Sequence, residues 1–366
     1  MPDAVATQLV AAATLTRFVA DVFGGAGCDA AEAERISRFL VSANLTGHDS
    51  HGVIRVPRYV ENIRDGHVVR NQSITVVTES PTHAVIDGNR GIGQTIAPQA
   101  VDLGIAKARA AGMAIVALRN CGHVGRIGDW GERAADAGLV AIHFVNVAMG
   151  EIVAPYGGVD RRFGTNPFCI AIPSADGAPP LLLDMATSLV AEGKVLVASK
   201  GGKPVPEGSM ITQDGRLSAD PETLYGPLVG GRRVPGAGRG ALRAFGEHKG
   251  SALAFMCEIL AGCLTGGATA GPLPAGRNER ITNGMLSIYL DPNHFGSSGF
   301  VRNAREYAEY VKASRPAAPG GEVLLPGEPE ARTRAARLRD GVPLTPDVWD
   351  SLLAAGRSVG VAPAPG

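Results

Sequence analysis

Met113-Ala114-Ile115-Val116-Ala117-Leu118-Arg119-Asn120-Cys121-Gly122-His123-Val124-Gly125-Arg126-Ile127-Gly128 decides the fold class. The apolar run Met113 to Leu118 has the length of a buried strand, and Ile127 to Ala137 reads as a helix. Between them lies a turn with glycines at 122, 125 and 128. In an open α/β sheet, ligands bind at the carboxyl ends of strands. Glycines there let a ligand approach backbone N–H groups at the helix start. His123 is well placed to face a cofactor or substrate. The same residues also read as a Gly-rich turn with a capping histidine, and spacing does not choose. The turn is not G-x-G-x-x-G. The nearest match, Gly236-Ala237-Gly238-Arg239-Gly240, follows Pro235 in a loop with no strand before it.

Working outward, Ile74–Val77 and His83–Ile86 read as strands and Gly93–Ala111 as a helix. Leu139–Val145, Phe168–Ile172 and Leu181–Leu183 read as further strands. The alternation predicts an α/β layer fold. Three helices precede it. Leu9, Leu15, Phe18, Val19, Val22 and Phe23 line the first, which closes at Gly24-Gly25. Asp29 and Glu32 form a capping box for the second, and Pro57 sits in the first turn of the third. Residues 201–242, rich in Gly, Pro and Arg, read as extended loops, and Glu247–Gly266 as one long apolar helix with Met256 and Cys257 in the core. Asn283–Leu290 reads as a strand and 316–321 as a flexible connector. Helices near 328–339 and 346–358 end the chain, the last capped by Thr345. The expected partition is an N-terminal helical segment (1–70), a core αβ domain (71–120 and 250–366) and an inserted cofactor-binding domain (121–249).

The chain has 366 residues, 45% of them apolar, so a large core is expected. Lys+Arg and Asp+Glu both number 35. No basic excess points to nucleic acid or an anionic membrane, and a net charge of zero favours self-association. The five cysteines, 28, 121, 169, 257 and 263, contain no C-x-x-C pair, which fits a reducing compartment. The first residues lack a basic start followed by an apolar core, and no run reaches membrane-span length. The expectation is a cytoplasmic protein.

Asp49-Ser50-His51-Gly52-Val53-Ile54-Arg55-Val56-Pro57-Arg58-Tyr59 concentrates hydrogen-bonding, basic and phenolic side chains between two helices. An imidazole passes a proton near neutral pH, and Arg55 can grip a carboxylate with two parallel hydrogen bonds. Such a pair suits a 2-oxo acid, although a solvated turn has the same local pattern. Asp184, Thr187 and Ser188 follow a strand and could bond ribose or pyrophosphate, or simply cap a helix. Lys249 stands at a helix start that attracts anions. No metal site is expected: His48 and His51 lack a clear third ligand. No G-x-S-x-G elbow marks a hydrolase.

Asp49-Ser50-His51-Gly52…Arg55…Tyr59, Gly122-His123-Val124-Gly125, Gly164-Thr165-Asn166-Pro167, Asp184-Met185-Ala186-Thr187-Ser188, Lys249-Gly250 and Leu325-Pro326-Gly327-Glu328 together resemble the type 2 malate/L-lactate dehydrogenase family, in the family's order and across most of the chain. The resemblance implies a non-Rossmann, sulfolactate-dehydrogenase-like α/β fold with a mixed sheet core, binding NAD or NADP in an extended shape. It also implies a homodimer with the site near the interface. Carried over by motif, Ser50, His51, Arg55 and Tyr59 line the substrate pocket, and His123 is the acid/base or packs beside the nicotinamide. His123, Val124, Gly125, Asn146, Asp184, Met185, Ala186, Thr187, Ser188, His248, Lys249, Asn283, Leu325, Pro326, Gly327 and Glu328 line the cofactor groove. Glu247-His248-Lys249-Gly250 is most similar to the hydroxycarboxylate dehydrogenase subgroup, which accepts bulkier 2-oxo acids such as phenylpyruvates. Asn146-Val147-Ala148-Met149 is more apolar than the family's usual version.

The resulting expectation is hydride exchange between a nicotinamide and C2 of a 2-oxo or 2-hydroxy acid, with His51 or His123 moving the proton. Reduction of a cyclic imino acid would use the same residues. A metal-dependent lyase or hydrolase built on His48, Asp49 and His51 is the rival from another class.

Overall fold

The computed structural model describes residues 7–174, 177–199, 203–229, 232–233, 238–271, 282–296 and 299–362. A short strand, β1 (Gln8–Val10), precedes helices α1 (Ala12–Gly25) and α2 (Ala30–Leu45). Two 3₁₀ turns, Asp49–His51 and Val53–Arg55, lead into α3 (Val56–Arg64). Then come β2 (Thr75–Glu79), β3 (His83–Asp87), α4 (Gly93–Ala111), β4 (Met113–Cys121), α5 (Gly128–Asp136) and β5 (Val140–Ala148). They are followed by β6 (Phe168–Ile172), β7 (Leu181–Met185) and α6 (Glu192–Ser199). A small lobe holds β8 (Met210–Ile211), β9 (Leu217–Ser218), α7 (Glu222–Tyr225), β10 (Leu228–Val229), β11 (Arg232–Arg233) and β12 (Ala241–Leu242). The remainder is α8 (His248–Cys257) with a π turn (Glu258–Cys263), β13 (Thr282–Leu290), α9 (Phe300–Lys312), α10 (Glu328–Asp340), β14 (Val342–Leu344) and α11 (Pro346–Ser358).

Among the described residues the main sheet has seven strands in the order β2-β3-β4-β13-β5-β6-β7. Only β3 and β4 run parallel. β4 and β13 are buried along most of their length, because α4 and α5 cover one side and the π turn packs against β4, β5 and β13. Ile86, Leu118, Trp130, Leu139 and Tyr289 lie in this core. β4 continues through residues 120 and 121, with a register shift against β13 between Leu118 and Cys121.

Two further clusters flank it. Leu15, Val19, Phe23, Ile36 and Leu40 pack with Leu352 of α11, and β1 pairs with β14, so both ends of the described chain meet. Val153, Val195, Met210, Leu224 and Leu242 fill the small lobe.

Several expectations change. Leu9 is exposed on β1 and not on a helix, since it faces outward from the pair with Pro343. Asp29 caps α2, but Glu32 turns away and accepts the amide of Asn71. Thr345 occupies the capping position of α11 with no side-chain cap bond. The helix expected over 247–266 winds into the π turn from Glu258. Met256 is 52% exposed, because it shares an outward face with Phe255 and Ile259, whereas Cys257 is core. The loop segment 201–242 contributes the three-stranded sheet β12-β8-β9. Pro235, Gly236 and Ala237 lie outside the described residues. Helices α6 and α9 had no signal in the reading above.

Candidate active site

The Gly47–Gly52 turn takes its shape from Asn44, at the end of α2. Its Oδ1 accepts the Val53 amide at 2.8 Å, and its Nδ2 donates to Asp49 at 2.6 Å. Arg337 of α10 grips Asp49 with two nitrogens, at 2.6 and 3.0 Å. His48 lies 3.5 Å from Glu330. Asp49 and His48 are therefore committed to α10, away from His51, and do not form the rival metal set. Among the described residues no group of three or more His, Cys, Asp or Glu converges as a metal site, and no helix is long and apolar enough to cross a membrane. All five cysteines are unpaired.

Ser50 is buried, with Oγ 3.0 Å from Nδ1 of His51. The guanidinium of Arg55 folds back so that Nε donates to the Ser50 carbonyl at 2.6 Å. His51 and Arg55 thereby share one rigid turn. Across from them, the His123 ring stacks on His51 at 5.6 Å with planes 15° apart. Tyr59, from α3, places its hydroxyl 2.5 Å from Nδ1 of His123, and Gln94 donates to that hydroxyl at 3.1 Å. Among the described residues, Nε2 of each imidazole has no hydrogen-bond partner. Ring protons follow from these partners; in either tautomer, the bonded Nδ1 leaves Nε2 available to a ligand.

The turn carrying His123 is held from three sides. Asn283 on β13 accepts the Val124 amide at 2.9 Å, and the Trp130 indole donates to the Val124 carbonyl at 3.0 Å. Gly93 allows α4 to press against it: a Cβ there would sit 2.0 Å from the His123 carbonyl oxygen.

Burial lowers both imidazoles. His123 falls to about 3, with the Arg55 charge adding to desolvation, and His51 falls well below 6.5 for the same causes plus its neighbour His123. Burial pushes the Tyr59 phenol up to about 12. The free site thus holds two neutral imidazoles and a neutral phenol at pH 7.

The residues expected around a cofactor divide sharply. Asp184 accepts the Gly128 amide at 2.8 Å and lies 3.8 Å from Arg126. The Thr187 hydroxyl bonds the carbonyls of Thr165 and Asn166, and that of Ser188 bonds Val190. Met185 ends β7, and Ala186 connects it to Thr187. Asn146 is fully buried, bonded to Glu258, Ala268 and the Gly284 amide. It belongs to a polar knot in which Glu258 also takes Asn166 at 2.8 Å and the Ala270 amide at 3.0 Å. His248 and Lys249 are exposed at the head of α8, His248 beside Tyr156. Phe245 donates to the Thr187 carbonyl, which brings that helix start next to the 184–188 segment. Leu325, Pro326, Gly327 and Glu328 line a groove of about 540 Å³ with Pro180, Leu181 and α9. Glu328 closes its own turn through the Leu325 amide and pairs with Lys312.

Four residues of this region escaped the sequence reading: Asn44, Gln94, Glu192 and Arg126. Glu192, on α6, reaches Arg55 at 3.3 Å. Arg126 lies in the quoted turn but points inward, with a side chain fully buried among Asp129 (3.0 Å), Glu132 (2.9 Å) and Asp184. A Gly-rich turn gives no hint that its arginine is core. Gln94 lies in the first turn of α4, and a polar residue on a buried helix face was the available signal.

A family model for malate/L-lactate dehydrogenase matches residues 10–353. The chain is 42% identical over 352 residues to hydroxycarboxylate dehydrogenase B of Escherichia coli, covering 96% of this chain and 94% of that one. Among solved structures it is similar to malate dehydrogenase from Pyrococcus horikoshii, with a TM-score of 0.84, 30% identity and 98% of both chains covered. It is likewise similar to sulfolactate dehydrogenase from Methanocaldococcus jannaschii, with a TM-score of 0.83, 31% identity, 97% of this chain and 98% of that one. The mixed sheet without a dinucleotide fingerprint is thus the fold of those enzymes, and this chain is an oxidoreductase belonging to the malate/L-lactate dehydrogenase family.

Proposed function

We propose that the protein is an NAD(P)-dependent dehydrogenase interconverting 2-hydroxy and 2-oxo acids, with His51 as its proton-transferring residue. The observation that carries this reading is the rigid coupling of His51 to Arg55 through Ser50. In a 2-oxo acid the carboxylate and the reacting oxygen sit on adjacent carbons. A guanidinium and an imidazole held in one turn by the same serine can serve those two groups together.

Arg55 binds the carboxylate through its terminal nitrogens, since Nε is already engaged. Nε2 of His51 bonds the oxygen on C2. It takes the proton of a hydroxy acid during oxidation and returns it during reduction. Ser50 follows Nδ1 through both states, because a hydroxyl both donates and accepts. A substrate carboxylate on Arg55 cancels part of the charge that lowers His51 and so raises its basicity. His123, held by Tyr59 and Gln94, forms the opposite wall and offers a second nitrogen to the same oxygen.

Residues here also fit an extended dinucleotide. The ≈ 540 Å³ groove lies at the start of β7, and Asp184, near the strand's other end, abuts the start of α5 behind His123. Four strand steps cover roughly 13 Å, so β7 can carry the cofactor's length from the Leu325–Glu328 turn toward the imidazoles. Backbone groups from Asp184 to Ser188 would hold it, since the hydroxyls of Thr187 and Ser188 are spent. The cofactor supplies hydride exchange at C2. The exposed apolar face of Phe255, Met256, Ile259 and Leu264 supports a homodimer, which light scattering on the purified protein tests.

The deciding assay follows nicotinamide absorbance with both reduced cofactors against pyruvate, phenylpyruvate and a cyclic imino acid. Turnover of 2-oxo acids that falls more than about a hundredfold in His51→Ala supports the reading. Turnover confined to the imine, or a fall of less than about tenfold in His51→Ala, overturns it, and a large fall in His123→Ala alone moves the proton transfer to His123.

A further inference from the structure

We infer that Glu192 is a specificity-determining residue that restricts the site to 2-oxo and 2-hydroxy acids bearing a single negative charge. The inference rests on the proposed role of Arg55.

Glu192 begins α6, which belongs to the small lobe and faces the Ser50–Arg55 turn. Its Oε2 lies 3.3 Å from a terminal nitrogen of Arg55. Its Oε1 accepts the Tyr225 hydroxyl at 2.7 Å, and the same hydroxyl lies 3.2 Å from the Glu192 carbonyl. Tyr225 packs against the small-lobe core. The carboxylate is therefore anchored from behind and presented to the guanidinium. The approach is close because residue 193 is glycine: a Cβ there would stand 2.2 Å from the Ser50 Cβ. Both partners of the pair are about a quarter exposed, so the pair borders open space.

The consequence is electrostatic. Arg55 is the cation that acts on both imidazoles, and Glu192 already claims part of its charge. Arg126, the other guanidinium acting on His51, is enclosed by Asp129, Glu132 and Asp184 and offers no charge to a ligand. One substrate carboxylate can share Arg55 with Glu192. A second anionic group three or four bonds away would meet the fixed carboxylate instead of a cation, and like charges brought together disfavour the wrong ligand strongly. A neutral side chain, aliphatic or aromatic, meets no such opposition.

The test compares pyruvate and phenylpyruvate with oxaloacetate in the full-length protein and in Glu192→Gln, which keeps the shape and an acceptor for Tyr225. The wild type is expected to favour the monocarboxylates in kcat/KM by at least about tenfold, and Glu192→Gln to shrink that ratio by about tenfold, chiefly through KM for oxaloacetate. Competitive inhibition by butyrate and succinate, similar in length but carrying one charge and two charges three bonds apart, gives a binding readout that does not depend on turnover. Glu192→Ala should shift that pair in the same sense. A wild type that prefers oxaloacetate, or ratios that move less than about twofold in both variants, overturns the proposal. A wild type that reduces no 2-oxo acid with either cofactor overturns the proposed function itself, and this inference with it.

Discussion

The His51–His123 pocket and the Arg126 cluster lie within one turn of each other, and both bury titratable groups. α2 braces both, through Asn44 on one side and Ser42, bonded to Asp129 at 3.0 Å, on the other. They differ in how their polar atoms are spent. Arg126 faces three carboxylates, and Glu132 is held in turn by Arg334 at 2.7 Å. Burial alone would lift the Asp129 carboxyl; Arg126 opposes it, and the outcome is a value of about 6. The charges there close on one another. Among the described residues each of the two imidazoles has a hydrogen-bond partner on one side only, and one nitrogen of each ring is left open. A buried cluster whose charges close on one another contributes structure, even though Nε of Arg126 lacks a hydrogen bond, whereas ring nitrogens left open are available to a ligand.

The largest expected difference between the two is functional. His51→Ala should lower kcat/KM by about 10²–10⁴ while the melting temperature stays near that of the wild type. A loss of activity that tracks unfolding would erase the contrast. Arg126→Leu should do the reverse. It leaves Asp129 and Asp184 without their cation in a buried site, and breaking such a set costs about 3–5 kcal/mol. Chemical denaturation measures this, and a loss under about 1 kcal/mol would mean that water enters the cluster. Tyr59→Phe sharpens the comparison from inside the pocket. It removes the bond to His123 and the acceptor of the buried Gln94 amide but keeps the ring packed at an edge against Phe23, so kcat should drop about tenfold with a stability loss of about 1 kcal/mol, well below that of Arg126→Leu.

The smallest expected effect is in the pH profile. A base with a lowered pKa stays neutral until the pH falls through its own value. His51 lies well below 6.5 and His123 at about 3, in both cases first because of burial. In the direction of hydroxy-acid oxidation, kcat/KM should therefore stay flat from about pH 8 to about pH 6 and decline only at lower pH. An acid limb centred at or above the ordinary imidazole value would show that the pocket is open to water in solution.

Much of the scaffold was legible because its signals are local. The run Met113–Leu118 became β4, which continues to Cys121 because Asn283 and Met285 of β13 pair with it there. Ser50, His51, Arg55, Tyr59 and His123 were named from two short segments and converge in space. Asn146 and Thr187 came from the same motif logic, yet both are fully enclosed and their polar atoms are used by neighbouring backbone and Glu258. A motif records which residue types recur at a spacing. It does not distinguish a side chain that faces a ligand from one that shapes the turn beneath it.

Sequence by itself determined the period and order of the elements, the absence of a dinucleotide fingerprint, and the supply of imidazole, guanidinium and phenol in two turns. Those features depend on neighbours a few residues apart. The tertiary structure decided which ring nitrogens remain open, that Arg126 is enclosed by carboxylates while Arg55 stays partly exposed, and that Glu192 stands against Arg55 from 137 residues away. The physical reason is that burial and charge pairing depend on distances across the fold, and these are set only when the small lobe, α2 and β4 pack around one another.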